Sequence, residues 1–340
     1  MAEKLRLAVI GTGLAWDKLH YPALEQLSDK YEITAVCNKT IDKAQGFANG
    51  VNLTPDRVYS NYSEMLKRDD IDVVDVLVPI SENFEVAKDV LLAGKNLIAE
   101  KPFAATLNGA NELLELKNQN NLKVMVAENY RYDEGNRIIK DIISSGKIGE
   151  ITNFTLDTGA DFPADMTGDN FAAKEWRQHP NFHGGIFLDG GVHDMALIRF
   201  LFGNVEKIYA TGKLQIADYC PYSVINALLT FKDGVSGSYT FRSNAKPLYN
   251  PPIGLRIFGT SGEIYLESKD CGVVNVRYND GLNEDLPYTP SRGYYNELLN
   301  FYNHNFNNET IVSTPEKEIG DIELVFNILK SIKKGEIIYG

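Results

Sequence analysis

The chain has 340 residues, 44% of them hydrophobic and 24% charged, with a formal net charge of −12 at pH 7. That composition fits a soluble globular protein long enough for two domains with filled cores, and its acidity argues against nucleic-acid binding, which needs basic surface to neutralise phosphates. Three widely spaced cysteines, Cys37, Cys220 and Cys271, form neither a disulfide framework nor a zinc pattern, and with no signal-peptide pattern and no apolar run near about 18 residues the expectation is a cytoplasmic protein outside any membrane.

The first part of the chain alternates strand and helix. Leu5 to Ile10 is a short apolar run that stops at glycine. Lys18 to Leu27 has helical spacing, Ile33 to Cys37 reads as a strand and Thr40 to Ala48 as a short helix. Val73 to Val78 is a buried-strand pattern ending at Pro79, and Glu85 to Ala93 is a helix closed by Gly94. Leu97 to Ala99 and Lys123 to Ala127 are strands flanking a helix over Leu107 to Asn120. Strands alternating with helices predict parallel βαβ units, hence a Rossmann-like domain over residues 1–127.

From residue 128 to 340 the pattern predicts a second domain of α+β type on an open, largely antiparallel sheet. After a helix over Asp133 to Ser145, β-rich runs cover Thr152 to Gly159, Val205 to Ile216, Val224 to Phe231, Val235 to Arg242, Ile253 to Phe258 and Glu263 to Glu267. Tight turns at Lys232-Asp233-Gly234 and Thr260-Ser261-Gly262 imply hairpins. Helices are expected at Val192 to Leu201, Tyr294 to Phe306 and Glu316 to Lys334.

Four segments carry chemistry. Gly11-Thr12-Gly13-Leu14-Ala15-Trp16 follows the first strand and opens the first helix. Its two glycines allow a tight turn and close backbone approach to a pyrophosphate seated on the helix N-terminus. Trp16 stands where a third glycine is usual, so it either widens the helix–strand contact or points towards the ligand. The second strand ends in Asn38-Lys39-Thr40, with no acid to bind ribose hydroxyls. Lys39 can pair with a 2′-phosphate there, which favours NADP(H) over NAD(H); the alternative is a solvated lysine and a helix-capping Thr40. Glu100-Lys101-Pro102 closes a strand at the carboxyl end, where open α/β sheets place ligand chemistry. Downstream, Asp189 and His193 have i,i+4 spacing, and a carboxylate beside an imidazole fixes its tautomer for acid–base work. His179 and His183 have similar spacing, but Pro180 lies between them and no acidic partner completes a zinc motif, so no metal is expected.

Gly11-Thr12-Gly13, Glu100-Lys101-Pro102, Glu128-Asn129-Tyr130-Arg131-Tyr132 and the Asp189 to His193 cluster, in this order, resemble the Gfo/Idh/MocA family. Its members include glucose–fructose oxidoreductase, inositol dehydrogenase and dihydrodiol dehydrogenases. The resemblance covers nearly the whole chain. It implies a Rossmann domain followed by an antiparallel sheet, NAD(P) as cofactor, and hydride transfer to or from a hydroxyl or carbonyl carbon of a sugar, polyol or related small molecule.

Carried over residue by residue, the resemblance makes Lys101 the active-site lysine, and Asp189 and His193 the acid–base pair. The residue three after His193, often Asp in the family, is Ala196 here. Pro79, Asn83, Glu100, Pro102, Asn129, Trp176 and Arg177 join the glycine turn as cofactor-side candidates, with Phe84 where the family frequently has His. Tyr130 and Arg177, with Lys101 and His193, are substrate-side candidates; Tyr130, Arg131 and Trp176 read equally as packing residues and Arg177 as a surface arginine. Asp161, Asn244 and Tyr295 are further polar candidates without a defined place. A homodimer or homotetramer is expected, through the sheet region of Val224 to Phe231 and Val235 to Arg242. The rival reading is a non-catalytic NAD(P)-binding regulator on the same fold.

Overall fold

Leu5–Ile10 (β1) is buried on both faces apart from Arg6, as a central parallel strand with helices on either side must be. The computed structural model describes residues 3–168, 170–214, 218–244 and 254–340. Tyr31–Cys37 (β2), Val58–Tyr59 (β3), Val73–Val76 (β4), Asn96–Glu100 (β5) and Val124–Ala127 (β6) complete a sheet of order β3-β2-β1-β4-β5-β6. Every neighbouring pair is parallel. The strand order reverses between β1 and β4, and open α/β sheets bind ligands beyond the strand ends at such a point.

The helix expected over Lys18 to Leu27 starts earlier and is not uniform. Trp16–His20 forms a π-helical turn, closed by Tyr21 N–H on Trp16 O, and runs into an α-helix at Tyr21–Gln26. Pro22 has no N–H to continue an α ladder backwards, and a π turn absorbs the extra residue.

By their contacts the residues group into two units. One unit runs to Asn129 and includes Tyr294–Ile319; the other comprises Tyr130–Gly293 and Gly320–Gly340. The returning segment belongs to the first unit because its apolar side chains Leu298 and Phe301 are fully buried. Tyr31 OH donates to Leu298 O at 2.6 Å, and Val126 N–H to Ser313 O at 3.2 Å.

The second unit holds Ile151–Gly159 (β7), Val205–Leu214 (β8), Tyr222–Phe231 (β9), Ser236–Arg242 (β10), Gly254–Gly259 (β11), Gly262–Leu266 (β12), Val273–Tyr278 (β13), Asn283–Pro287 (β14) and Ile338–Tyr339 (β15). Their order is β14-β13-β12-β11-β7-β10-β9-β8-β15. Pairing is antiparallel except between β7 and β10. Both expected hairpins form, β9/β10 and β11/β12. Ile216 and Ile253, at the ends of two expected strands, lie outside the described residues.

Burial alternates along β9 and β10, as a sheet with one covered face requires. The helix Gly191–Phe202 packs on the covered face, where the rings of Phe202 and Phe154 stack at 4.2 Å. Tyr209, Leu214 and Leu228 remain exposed, and Tyr209 and Leu228 are cross-strand partners. Among the described residues no helix is long and apolar enough to cross a membrane.

Candidate functional site

The glycine turn is built by contacts that only glycine permits. Gly11 has φ +102°, its N–H donates to Cys37 O at 2.9 Å, and a Cβ would fall 2.2 Å from Leu77 O. At Gly13 a Cβ would meet nothing within 4 Å. The turn is therefore tight against Leu77, just after β4, at its first glycine and open at its second, and the first N–H groups of the following helix lack intrahelical acceptors. That combination fits the pyrophosphate of a dinucleotide. Leu14 and Ala15 are half-buried, whereas Thr12 and Trp16 are buried. Trp16 packs edge-on against Phe47 at 5.0 Å and beside Tyr21 at 5.5 Å, so its ring enters the unit's interior.

Asn38 ties the end of β2 to this turn. Its Nδ2 donates to Thr12 Oγ1 at 2.8 Å and its Oδ1 accepts from Thr40 N–H at 2.9 Å. Thr40 occupies the cap position of the helix Ile41–Gly50 without making a side-chain cap bond. The Lys39 side chain is 74% exposed and its Nζ pairs with Glu82 Oε2 at 2.6 Å.

Lys101 follows β5 and is half-buried. Its surroundings are fixed from two sides. Asn83, in the helix Ile80–Leu92 that Pro79 precedes, donates its Nδ2 to the carbonyls of Glu100 and Pro102 at 2.9 and 3.0 Å. Glu100 Oε2 accepts the Lys101 main-chain N–H at 3.1 Å. The other Glu100 oxygen faces His20 Nε2 at 3.1 Å, and His20 Nδ1 faces Asp75 Oδ2 at 2.8 Å. An imidazole with a carboxylate oxygen at each nitrogen can donate to both only as the imidazolium. Burial disfavours that charge, but Asp75 and Glu100 outweigh it and hold the His20 pKa well above the usual value. Nearby, both Glu297 oxygens are buried without hydrogen-bond partners. Burial pushes the Glu297 carboxyl well up despite the opposing pull of His20, with Glu100, Glu128 and Asp75 adding to the rise.

The second unit brings another set together. His193 lies in the first turn of the helix Gly191–Phe202 and stacks on Tyr130, centroids 4.6 Å apart and planes 18° apart. Asp189 ends a short helix, Ile186–Asp189, and is buried. Arg177 Nε donates to Asp189 Oδ2 at 2.5 Å, while its guanidinium lies 4.1 Å from the Trp176 ring centroid. Trp176 and Arg177 belong to the short helix Glu175–Gln178. The next helical residue, Asp194, accepts from Tyr239 OH at 2.8 Å and Thr158 Oγ1 at 3.1 Å. Ala196 is fully buried.

Other candidates fall in ordinary places. Asn129 is buried in the first unit, and Arg131 is buried against Asp321 in the second. Asp161 and Asn244 form an isolated β-bridge, whereas Tyr295 belongs to the first unit. His179 faces Asp218 at 3.4 Å on the surface and His183 lies against Phe326. Among the described residues no three His, Cys, Asp or Glu side chains are grouped to hold a metal ion. Sequence reasoning missed the Asp75–His20–Glu100 line and the Arg177–Asp189 pair. It also missed Lys269, whose Nζ sits 5.7 Å from the Tyr130 ring centroid. The available signal was Asp75 itself, one acid inside an apolar strand.

A dinucleotide-type turn at the head of a Rossmann sheet, followed by an open mixed sheet, defines a class that the comparisons make specific. Residues 5–128 match the NAD-binding Rossmann fold of the Gfo/Idh/MocA oxidoreductase family, and residues 136–265 match its C-terminal domain. The chain belongs to that family. It is 30% identical over 308 residues to an uncharacterised protein of Saccharomyces cerevisiae, covering 88% of this chain and 86% of that one. It is 30% identical over 242 residues to dTDP-3,4-didehydro-2,6-dideoxy-alpha-D-glucose 3-reductase of Actinomadura kijaniata, covering 71% of this chain and 69% of the reductase. Against an uncharacterised oxidoreductase of Schizosaccharomyces pombe it is 31% identical over 219 residues, 64% of this chain, and spans 56% of that relative's length. An oxidoreductase structure from Thermotoga maritima superposes with a TM-score of 0.85 at 27% identity, covering 99% of this chain and 98% of that one. Levoglucosan dehydrogenase, solved with NADH and L-sorbose, shares the fold with a TM-score of 0.87 at 20% identity, each chain covered to 99%.

Proposed function

We propose that the chain is an NAD(P)-dependent dehydrogenase or reductase acting on the hydroxyl or carbonyl carbon of a sugar, polyol or related small molecule. The observation that carries this reading is the glycine turn on the Rossmann sheet: tight against Leu77 at Gly11, open at Gly13. The nicotinamide, when bound, supplies or accepts the hydride. Backbone groups from Gly11 to Trp16 hold the pyrophosphate, and Pro79, Asn83, Glu100, Pro102, Asn129, Trp176 and Arg177 act on the cofactor side. The neutral Asn38 puts no carboxylate at the end of β2, and the exposed Lys39 ammonium, which a 2′-phosphate would share with Glu82, supplies the opposite charge, so NADP(H) is the preferred form.

The Lys101 ammonium polarises the substrate oxygen and stabilises it as charge develops. His193 exchanges the substrate proton; Tyr130 restrains its ring by stacking, and Asp189, gripped by Arg177, supplies the orienting charge. The sugar-type substrate is supported by the activity in the name of the Actinomadura kijaniata relative. The exposed Tyr209, Leu214 and Leu228 support self-association through the second sheet.

The test is nicotinamide absorbance across a panel of sugars, polyols and keto-sugars with both cofactors. Lys101→Ala and His193→Ala should each lower kcat by about 10²–10⁴-fold while cofactor Kd stays within a few-fold. Near-normal turnover in both variants refutes the assignment. Cofactor binding without turnover across the panel points instead to the regulator.

A further inference from the structure

A buried line of charged groups leads away from Lys101 and has no part in the proton handling above. Asp75 Oδ2 meets His20 Nδ1 at 2.8 Å, His20 Nε2 meets Glu100 Oε1 at 3.1 Å, and Glu100 Oε2 takes the Lys101 N–H at 3.1 Å. The His20 and Asp75 side chains are fully buried and that of Glu100 is 14% exposed. Burying charges costs more than packing hydrophobic residues of the same volume, so such a line is not explained by stability alone. Asp75 is a buried acid among the three buried valines of β4.

Each member leaves the next one a single arrangement. Asp75 fixes the imidazole, the imidazole occupies one Glu100 oxygen, and the other oxygen remains for the Lys101 N–H. Asn83 holds the carbonyls on both sides of that N–H. The direction in which the lysine side chain leaves the backbone is thereby set. His20 also ends the π turn that follows the glycine turn, so one line joins the dinucleotide helix to the lysine. Extra helical residues of this kind recur at functional sites.

We propose that His20 is a positioning residue for Lys101, acting through Glu100 and tying the lysine to the helix after the glycine turn. The proposal rests on the reading of Lys101 as a site residue. Two substitutions separate the two ring nitrogens. In His20→Gln the amide lies where Nε2 was and can still donate to Glu100; in His20→Asn it lies where Nδ1 was and the Glu100 bond is lost. Misplacement of a reacting group by about 1 Å costs on the order of 100-fold in rate. His20→Asn should therefore lower kcat by about that factor with KM and cofactor Kd within a few-fold of wild type, and His20→Gln should recover most of it. Equal loss in the two variants, or loss in neither, overturns the proposal.

A second readout needs no substrate. Lysines are reductively methylated with ¹³C, and the Lys101 resonance is assigned by its absence in Lys101→Met. That resonance should move in His20→Asn and stay near its wild-type position in His20→Gln; the same position in all three overturns the positioning role. Full turnover by Lys101→Met would overturn the functional reading of the lysine instead, which the resonance comparison does not depend on.

Discussion

Gly13→Ala should separate cofactor binding from folding. A Cβ at Gly13 meets nothing within 4 Å, and its φ lies outside the left-handed range. The substitution therefore costs the folded chain no contact, and it removes freedom from the unfolded chain, worth about 0.4–1 kcal/mol of added stability. The methyl group would project into the space through which a pyrophosphate approaches the turn. Loss of that approach is expected to weaken NADPH and NADH by at least about tenfold, or about 1.4 kcal/mol. Gly11→Ala is the contrast: its Cβ would sit 2.2 Å from Leu77 O at a φ of +102°, so the fold itself should weaken by more than the roughly 1–3 kcal/mol of the backbone strain. Thermal melts read the fold and calorimetric titration reads the cofactor. An unchanged cofactor Kd in a folded Gly13→Ala protein would refute the placement of the dinucleotide on this turn.

Glu82→Gln releases Lys39 from its ion pair, and NADP(H) should then gain several-fold over NAD(H); an unaltered ratio of the two Kd values, with Lys39→Ala also without effect, sinks the 2′-phosphate role. Glu297 gives a pH signature. Its carboxyl titrates well above the usual value when folded because it is buried, so the folded state keeps a proton that the unfolded state releases above about pH 4.3. Its contribution to stability is complete below that pH and is lost as pH rises towards the folded pKa. Glu297→Gln keeps the neutral shape and removes this loss, so its urea midpoint should match wild type near about pH 4 and exceed it near pH 8. A gap between the two that does not change with pH would contradict the neutral-acid assignment.

The legible parts of the chain were those with local causes. The apolar run from Leu5 to Ile10 forms a strand with those bounds, and the glycine turn after it forms where its two glycines stand. Hairpins at Lys232-Asp233-Gly234 and Thr260-Ser261-Gly262 were equally local. The strand Asn283–Pro287 was not, since acids and a proline have low strand preference and only pairing with β13 makes it one. The return of Tyr294–Ile319 to the first unit had no local marker, because it is decided by burial of Leu298 and Phe301 far along the chain. Trp16 left two options open, and the π turn resolves its ring into a cluster with Tyr21 and Phe47. Asp75 was visible as an acid in a valine strand, but its partner His20 lies 55 residues away. No single-sequence pattern pairs residues across that distance.

The return of Tyr294–Ile319 also bears on how the protein is made. Domains commonly fold in order of synthesis, but here the first unit lacks part of its interior until residues near 300 have left the ribosome. The Tyr31 hydroxyl cannot reach Leu298 O, nor Val126 its Ser313 carbonyl, before then. The nascent Rossmann sheet must therefore persist with an uncovered apolar flank while β7 to β14 of the second sheet are synthesised. Apolar surface exposed during that interval favours aggregation, and a fragment cut out at residue 128 would lack Leu298 and Phe301 permanently.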